Sequence, residues 1–145
     1  MILNENFNWR IKPIFILGDR ASFLNPDGLG FFETADEYKQ EALTGDILRR
    51  LDLPVEEKLL VRKAEDLTQL NLDVEVVLVF VHTMDRLLSL VSLAETGLPV
   101  VLTGEEGAPG DALDSYQFLS AYENVMTAFG FEEVRKTIKV LKAAG

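Results

Sequence analysis

Eight residues constrain this chain more than any others: Val74-Glu75-Val76-Val77-Leu78-Val79-Phe80-Val81. A strand with one face in water alternates apolar and polar side chains. This run is apolar at every position but Glu75, so it requires cover on both faces and a central place in a sheet. A helical segment follows from Met84 to Glu95, with Leu87, Leu88, Val91 and Ala94 at helical spacing and Leu90 and Leu93 widening the apolar stripe. Thr96-Gly97 closes it, and Val100 to Thr103 reads as the next strand. Strand, helix and strand within about thirty residues is the crossover unit of a parallel sheet.

The rest of the chain fits the same alternation. Ile11 to Leu17 reads as the first strand, with Pro13 tolerable near its start. Asn25-Pro26-Asp27-Gly28-Leu29-Gly30 is a turn, because proline fixes φ, aspartate bonds its own backbone and glycine admits positive φ. Thr34-Ala35-Asp36-Glu37 forms a capping box for a helix running to Leu51, with Leu43, Ile47 and Leu51 on one stripe. Leu59 to Val61 is a short second strand, and Glu65 to Leu70 supplies one or two helical turns. Asp111 opens a helix expected to reach Phe129, with Gly130 ending it. Glu132 to Ala144 suits either an amphipathic helix or a short strand, and its length and alanine and lysine content favour the helix. Trp9 is expected to cover the edge of the core. The predicted fold is a single α/β domain over 1–145. It is three-layered, doubly wound and flavodoxin-like or Rossmann-like, with a mainly parallel sheet of about four to five strands.

Charge narrows the range of partners. Lysine and arginine number 14 against 24 aspartate and glutamate, a formal net of −10. Such a surface repels nucleic acid and anionic membranes, so neither is expected as a partner. The apolar runs are far shorter than the ~20 residues that span a bilayer. No cysteine is present, which excludes disulfides, thiolate metal sites and cysteine nucleophiles and fits the cytoplasm. The N-terminal residues lack a basic region followed by a long apolar run, so no signal peptide is expected.

Ligands of open parallel sheets bind outside the carboxyl ends of the strands. Three segments fall there: Gly18-Asp19-Arg20, then His82-Thr83-Met84-Asp85-Arg86, then Thr103-Gly104-Glu105-Glu106. Arg20, His82, Asp85, Glu105 and Glu106 are therefore the candidate ligand-binding residues. Each has a plainer role: a loop bond for His82, a helix start for Asp85, a salt bridge for Arg20. Glu105 and Glu106 are adjacent carboxylates that repel each other and call for a partner, or stand solvated. No catalytic residue and no metal site is expected. The glycines fail the dinucleotide spacing, no phosphate-loop lysine follows them, and the acidic positions of a calcium loop are missing. No serine occupies a nucleophile elbow.

Several segments together resemble the N-terminal domain of the L-fucose isomerase and L-arabinose isomerase-like proteins. They are the Gly18-Asp19-Arg20 break, the His82-Thr83-Met84-Asp85 turn, and Leu98-Pro99-Val100-Val101-Leu102 with its glycine loop and a long helix ending at Phe129-Gly130. The tail, 131–145, resembles the helix by which that family leaves its first domain. The resemblance implies a non-catalytic N-terminal domain of a longer protein, with oligomer contacts and loops near a sugar. It implies no cofactor in this chain; a divalent metal such as Mn²⁺ belongs to the later domains of a complete isomerase. A sugar ligand and a homo-oligomer are the implied partners, with Arg20, His82 and Asp85 the positions for sugar contact. Two other readings stand beside it. One is a phosphoreceiver-type regulatory domain, which Asp19, Asp85 and Thr103 mimic in part. The other is a flavodoxin-like subunit that only assembles.

Overall fold

In the computed structural model the described residues are 9–17, 23–24, 31–32, 37–67, 73–82, 87–104 and 110–144. Five parallel strands form one sheet: β1 (Ile11–Ile16), β2 (Leu59–Val61), β3 (Val76–Val81), β4 (Val100–Thr103) and β5 (Val125–Thr127). Their spatial order is β2-β1-β3-β4-β5, the flavodoxin-like winding. The described helices are α1 (Glu37–Leu51), α2 (Leu87–Ala94), α3 (Gly110–Leu119) and α4 (Phe131–Ala144), with a 3₁₀ turn over Ala64–Leu67. Phe23–Leu24 and Phe31–Phe32 pair as a separate antiparallel ladder.

The central strand is covered on both faces, as its composition demands. All six residues of β3 are buried. Val76, Leu78 and Phe80 belong to one core with Phe15, Leu17, Leu60 and Val101. Leu43, Ile47 and Leu51 of α1 and Val134, Ile138 and Leu141 of α4 cover that face. Val77, Val79 and Val81 belong to a second core with Ile14, Ile16 and Leu102, and Leu90 and Leu93 of α2 and Ala112 and Leu119 of α3 cover it. Trp9 packs partly buried against the first core.

The boundaries differ from expectation in physically legible places. β3 begins at Val76, because the N–H groups of Glu75 and Val76 both donate to Arg10 O (3.0 and 3.3 Å) and bend the chain there. β1 ends one residue early, although Leu17 still donates to Val61 O at 2.8 Å. The turns expected over Glu65–Leu70 are a 3₁₀ turn ending at Leu67. Asp66 caps it by accepting from the N–H groups of Arg62 (2.8 Å) and Lys63 (3.2 Å). Residues 68–70, the Thr34 cap and Met84–Arg86 at the start of the next helix lie outside the described residues, as does the 25–30 turn. α2 ends at Ala94, and Gly97 follows at φ 81°, a conformation that suits glycine.

The helix expected from Asp111 to Phe129 is a correction. It stops at Leu119, and Val125–Thr127 form the fifth strand. Two of those three residues are β-branched and suit a pleated surface. The segment pairs with β4, Val100 to Val125 and Leu102 to Thr127. Asn124 fixes the approach: its Nδ2 donates to Ala94 O at the end of α2 and to Leu98 O in the connection to β4, both at 2.8 Å. The ambiguous last segment is helical, with Arg135 Nη1 donating to Leu51 O at 2.9 Å to cap α1 from α4.

Candidate functional site at the carboxyl edge

With this strand order the winding reverses between β1 and β3: connections leave β1 toward β2 on one side, and later strands add beyond β3 on the other. A crevice outside the carboxyl ends opens at such a point. His82, the residue after β3, stands there. Its N–H donates to Ile16 O at 3.0 Å, extending the ladder one residue past the strand. Its ring is buried, 6% exposed. It stacks on Phe15 with centroids 5.9 Å apart and planes 3° from parallel. Phe15 in turn stacks on Phe80 at 4.4 Å and 7°. Strand alternation explains the stack, because Phe80 and His82 are two residues apart and share a face, and Phe15 lies opposite Phe80 in register.

The register brings further residues level with His82. Ile16 pairs with both Val61 and Val81, so Arg62, Leu17 and His82, each one residue on, form a row across β2, β1 and β3. Their parity matches Leu60, Phe15 and Phe80, so all three lie on the face covered by α1 and α4. Thr103 ends β4 on the same face and is buried, 2% exposed. A guanidinium, an imidazole and a hydroxyl thus end three strands on one edge, with apolar Leu17 between the first two.

Arg62 is held in place by α1. Its Nε donates to Gln40 Oε1 at 2.6 Å, and Gln40 is 5% exposed. One turn further along α1, the fully buried Thr44 donates to Gln40 O at 2.7 Å and accepts from Lys58 Nζ at 2.8 Å. Lys58 also pairs with the Glu41 carboxylate at 3.1 Å. Buried polar atoms require such partners, and together these bonds fix α1 against β2.

Of the five residues singled out from sequence, His82 alone lies among the described residues. Arg20, Asp85, Glu105 and Glu106 lie outside them. Arg62 and Gln40 were missed. The signal was present, since the rule that selected the loops after the first, third and fourth strands applies equally to the end of Leu59–Val61. Gln40 sits inside a helix, and nothing in a one-dimensional pattern distinguishes it from an exposed glutamine.

The opposite, amino edge carries a charged depression of about 340 Å³ lined by Arg10, Lys12, Glu56, Glu57, Asp73 and Val74. It contains exposed ion pairs. Arg10 binds Asp73 at 3.1 Å and reaches Glu75 at 3.9 Å, and the Asp73 hydrogen bond raises the guanidinium pKa above its ordinary value. Lys12 donates to Glu57 O. Exposed pairs of this kind contribute little. The carboxyl edge is the better candidate because His82, Thr103 and Gln40 are buried there and it holds the reversal of the winding. Among the described residues no group of His, Asp or Glu is arranged to hold a metal ion, and no helix is long and apolar enough to cross a membrane. Comparison of the chain with protein-family models, with curated proteins and with solved structures found no match in any of the three.

Proposed function

We propose that this chain is a non-catalytic α/β module that binds a small polar ligand, of the sugar class, at the carboxyl edge around His82, and that it works as a homo-oligomer. The observation that carries the reading is the row of Arg62, Leu17 and His82 at the winding reversal, with Thr103 beside it on the same face. A guanidinium, an imidazole and a hydroxyl offer hydrogen bonds to hydroxyl-rich ligands, the few convergent polar groups that orient a small molecule. The sugar class itself comes from the sequence resemblance to the sugar-isomerase N-terminal domain. The oligomer contact is assigned to the outer side of α2, where Leu88 is 83% exposed. The phosphoreceiver reading has less support, since β3 ends in Phe80 and Val81 and the strand offers no carboxylate there.

Thermal unfolding with L-arabinose, L-fucose and D-ribose, each with and without Mn²⁺, tests the reading. A sugar at tenfold its Kd stabilises by about 1.4 kcal/mol, which for a domain of this size raises Tm by about 5 °C. Light scattering on the same samples reports the oligomer. No shift with any sugar at millimolar concentration, in monomer and oligomer alike, would overturn sugar binding, and a strict monomer would remove the assembly role.

A further inference from the structure

We propose that copies of this chain associate head to tail, the outer face of α2 and α3 in one copy docking on the seam between α1 and α4 of the next. This names the partner surface for the homo-oligomer contact assigned to α2, and it rests on that reading. The two helical layers differ in charge. Of the 14 lysines and arginines, half lie on α1 and α4 and none on α2 or α3. α2 carries no charged residue, and α3 carries only Asp111 and Asp114. The same layer holds exposed apolar side chains. α2 and α3 lie side by side, with Leu88 exposed on α2 and Leu113 and Phe118 exposed on α3, Phe118 at 68%. Asp114 is exposed one turn before Phe118, and Glu95 is exposed just past the end of α2.

The seam on the other side of the sheet offers the complement. Arg50 stands over the Phe131 ring, 5.2 Å from its centroid. Arg135 Nη1 donates to Leu51 O, a neutral carbonyl, and Lys139 is exposed one turn further along α4. Arg49 and Arg50 share one carboxylate, that of Asp46, and Asp52 is the other acid at this end of α1. Cations therefore outnumber acids along the seam. The stems of its lysine and arginines can cover Leu113 and Phe118 while their heads meet Asp114 and Glu95, and a cation over the Phe118 ring adds attraction. The two surfaces cannot meet within one chain, because α1 and α4 cover one core of the sheet and α2 and α3 the other. Pairing two α2–α3 layers would instead set Asp114 and Glu95 against like charges, with no cation on either helix to answer them. The contact is thus heterologous, and successive copies close into a ring or extend as a filament according to the rotation between them.

The experiment is sedimentation velocity over a concentration series, at low and high salt, on the full chain and two double variants. Leu113→Ser with Phe118→Ser removes one surface, and Arg50→Glu with Lys139→Glu inverts the other. Amide spectra of both retain the native pattern. The wild-type chain is expected to associate, more weakly as salt screens the charges. Each variant alone loses at least about tenfold in association. Their equimolar mixture forms a one-to-one heterodimer that grows no further, because each variant keeps the surface the other lacks. If the Arg50/Lys139 variant associates as the wild type does while the Leu113/Phe118 variant is monomeric, α2–α3 layers pair with each other; the head-to-tail contact fails and the oligomer stands. If both variants associate as the wild type does, neither surface is the contact and the proposal fails in the same way. A mixture that stays monomeric shows that the surfaces are not complementary and also overturns it. A wild-type chain monomeric at every concentration removes the contact and the oligomer together.

Discussion

Phe80→Ala is expected to lower the unfolding free energy by about 3–5 kcal/mol, the cost of removing a large aromatic side chain from a packed interior. Phe80 is 1% exposed, lies in the central strand and stacks on Phe15 at 4.4 Å. Its replacement leaves a cavity under α1 and α4 and also removes an aromatic pair contributing about 0.5–1.5 kcal/mol beyond its area. Urea unfolding measures the loss. With a slope of about 2 kcal/mol/M, the midpoint falls by about 2 M. Val140→Ala is the control, because a 67% exposed side chain on α4 changes stability by no more than about 0.5 kcal/mol. A Phe80→Ala loss below about 1 kcal/mol would show that this face of β3 is not enclosed. The effect also reaches the site, since Phe15 is the surface on which His82 stacks.

Val79→Asp is expected to abolish folding at neutral pH. Val79 is fully buried on the opposite face of β3, among Ile14, Ile16, Leu90 and Leu102. Among the described residues no cation belongs to that core, so the carboxylate would be desolvated without compensation. The effective cost of an unpaired buried ion is several kcal/mol, to which the lost valine burial adds about 1.5–3. Together these reach the whole stability of an ordinary domain, about 5–15 kcal/mol. The burial also fixes the sign of the pH dependence. Desolvation raises the folded-state pKa of the new carboxyl above its unfolded value. The damage relative to wild type is therefore smallest below the unfolded carboxylate pKa and grows as pH rises through the folded one. Circular dichroism and amide dispersion at two pH values measure it. A cooperatively folded variant at neutral pH, as stable as the wild type, would mean that the second face of the strand is wet. The pair of substitutions thus tests the two covered faces separately.

The parts of the fold that could be read from sequence are those where burial writes itself into composition. The unbroken run over β3 announces two covered faces, and the capping glycine at Gly97 announces the end of α2. The alternation of segments gives a doubly wound sheet, and Val134, Ile138 and Leu141 give the last helix its buried stripe. β5 was not legible. Its three residues interrupt a pattern that continues at helical spacing through Met126 and Phe129, and propensity over three residues is too weak to outvote it. Tertiary context decides the matter, through pairing with β4 and the two bonds from Asn124. That correction also removes one support for the family resemblance, which counted a long helix ending at Phe129. The site was partly legible for a related reason. Edge residues can be found by locating strand ends, and His82 was found that way. The alignment of His82 with Arg62, and the buried amide that orients the arginine, depend on register between strands far apart in sequence.

The absence of native cysteines permits a direct test of the central claim, that Arg62, Leu17 and His82 form one row at the carboxyl edge of a sheet with β3 at its centre. A nitroxide attached to Arg62→Cys is predicted to broaden the His82 ring resonances strongly. The same label on Asp73→Cys, beyond the amino end of a strand about 20 Å long, is predicted to leave them much sharper. Broadening from position 73 with sharp lines from position 62 would place the residues at opposite ends and contradict the account.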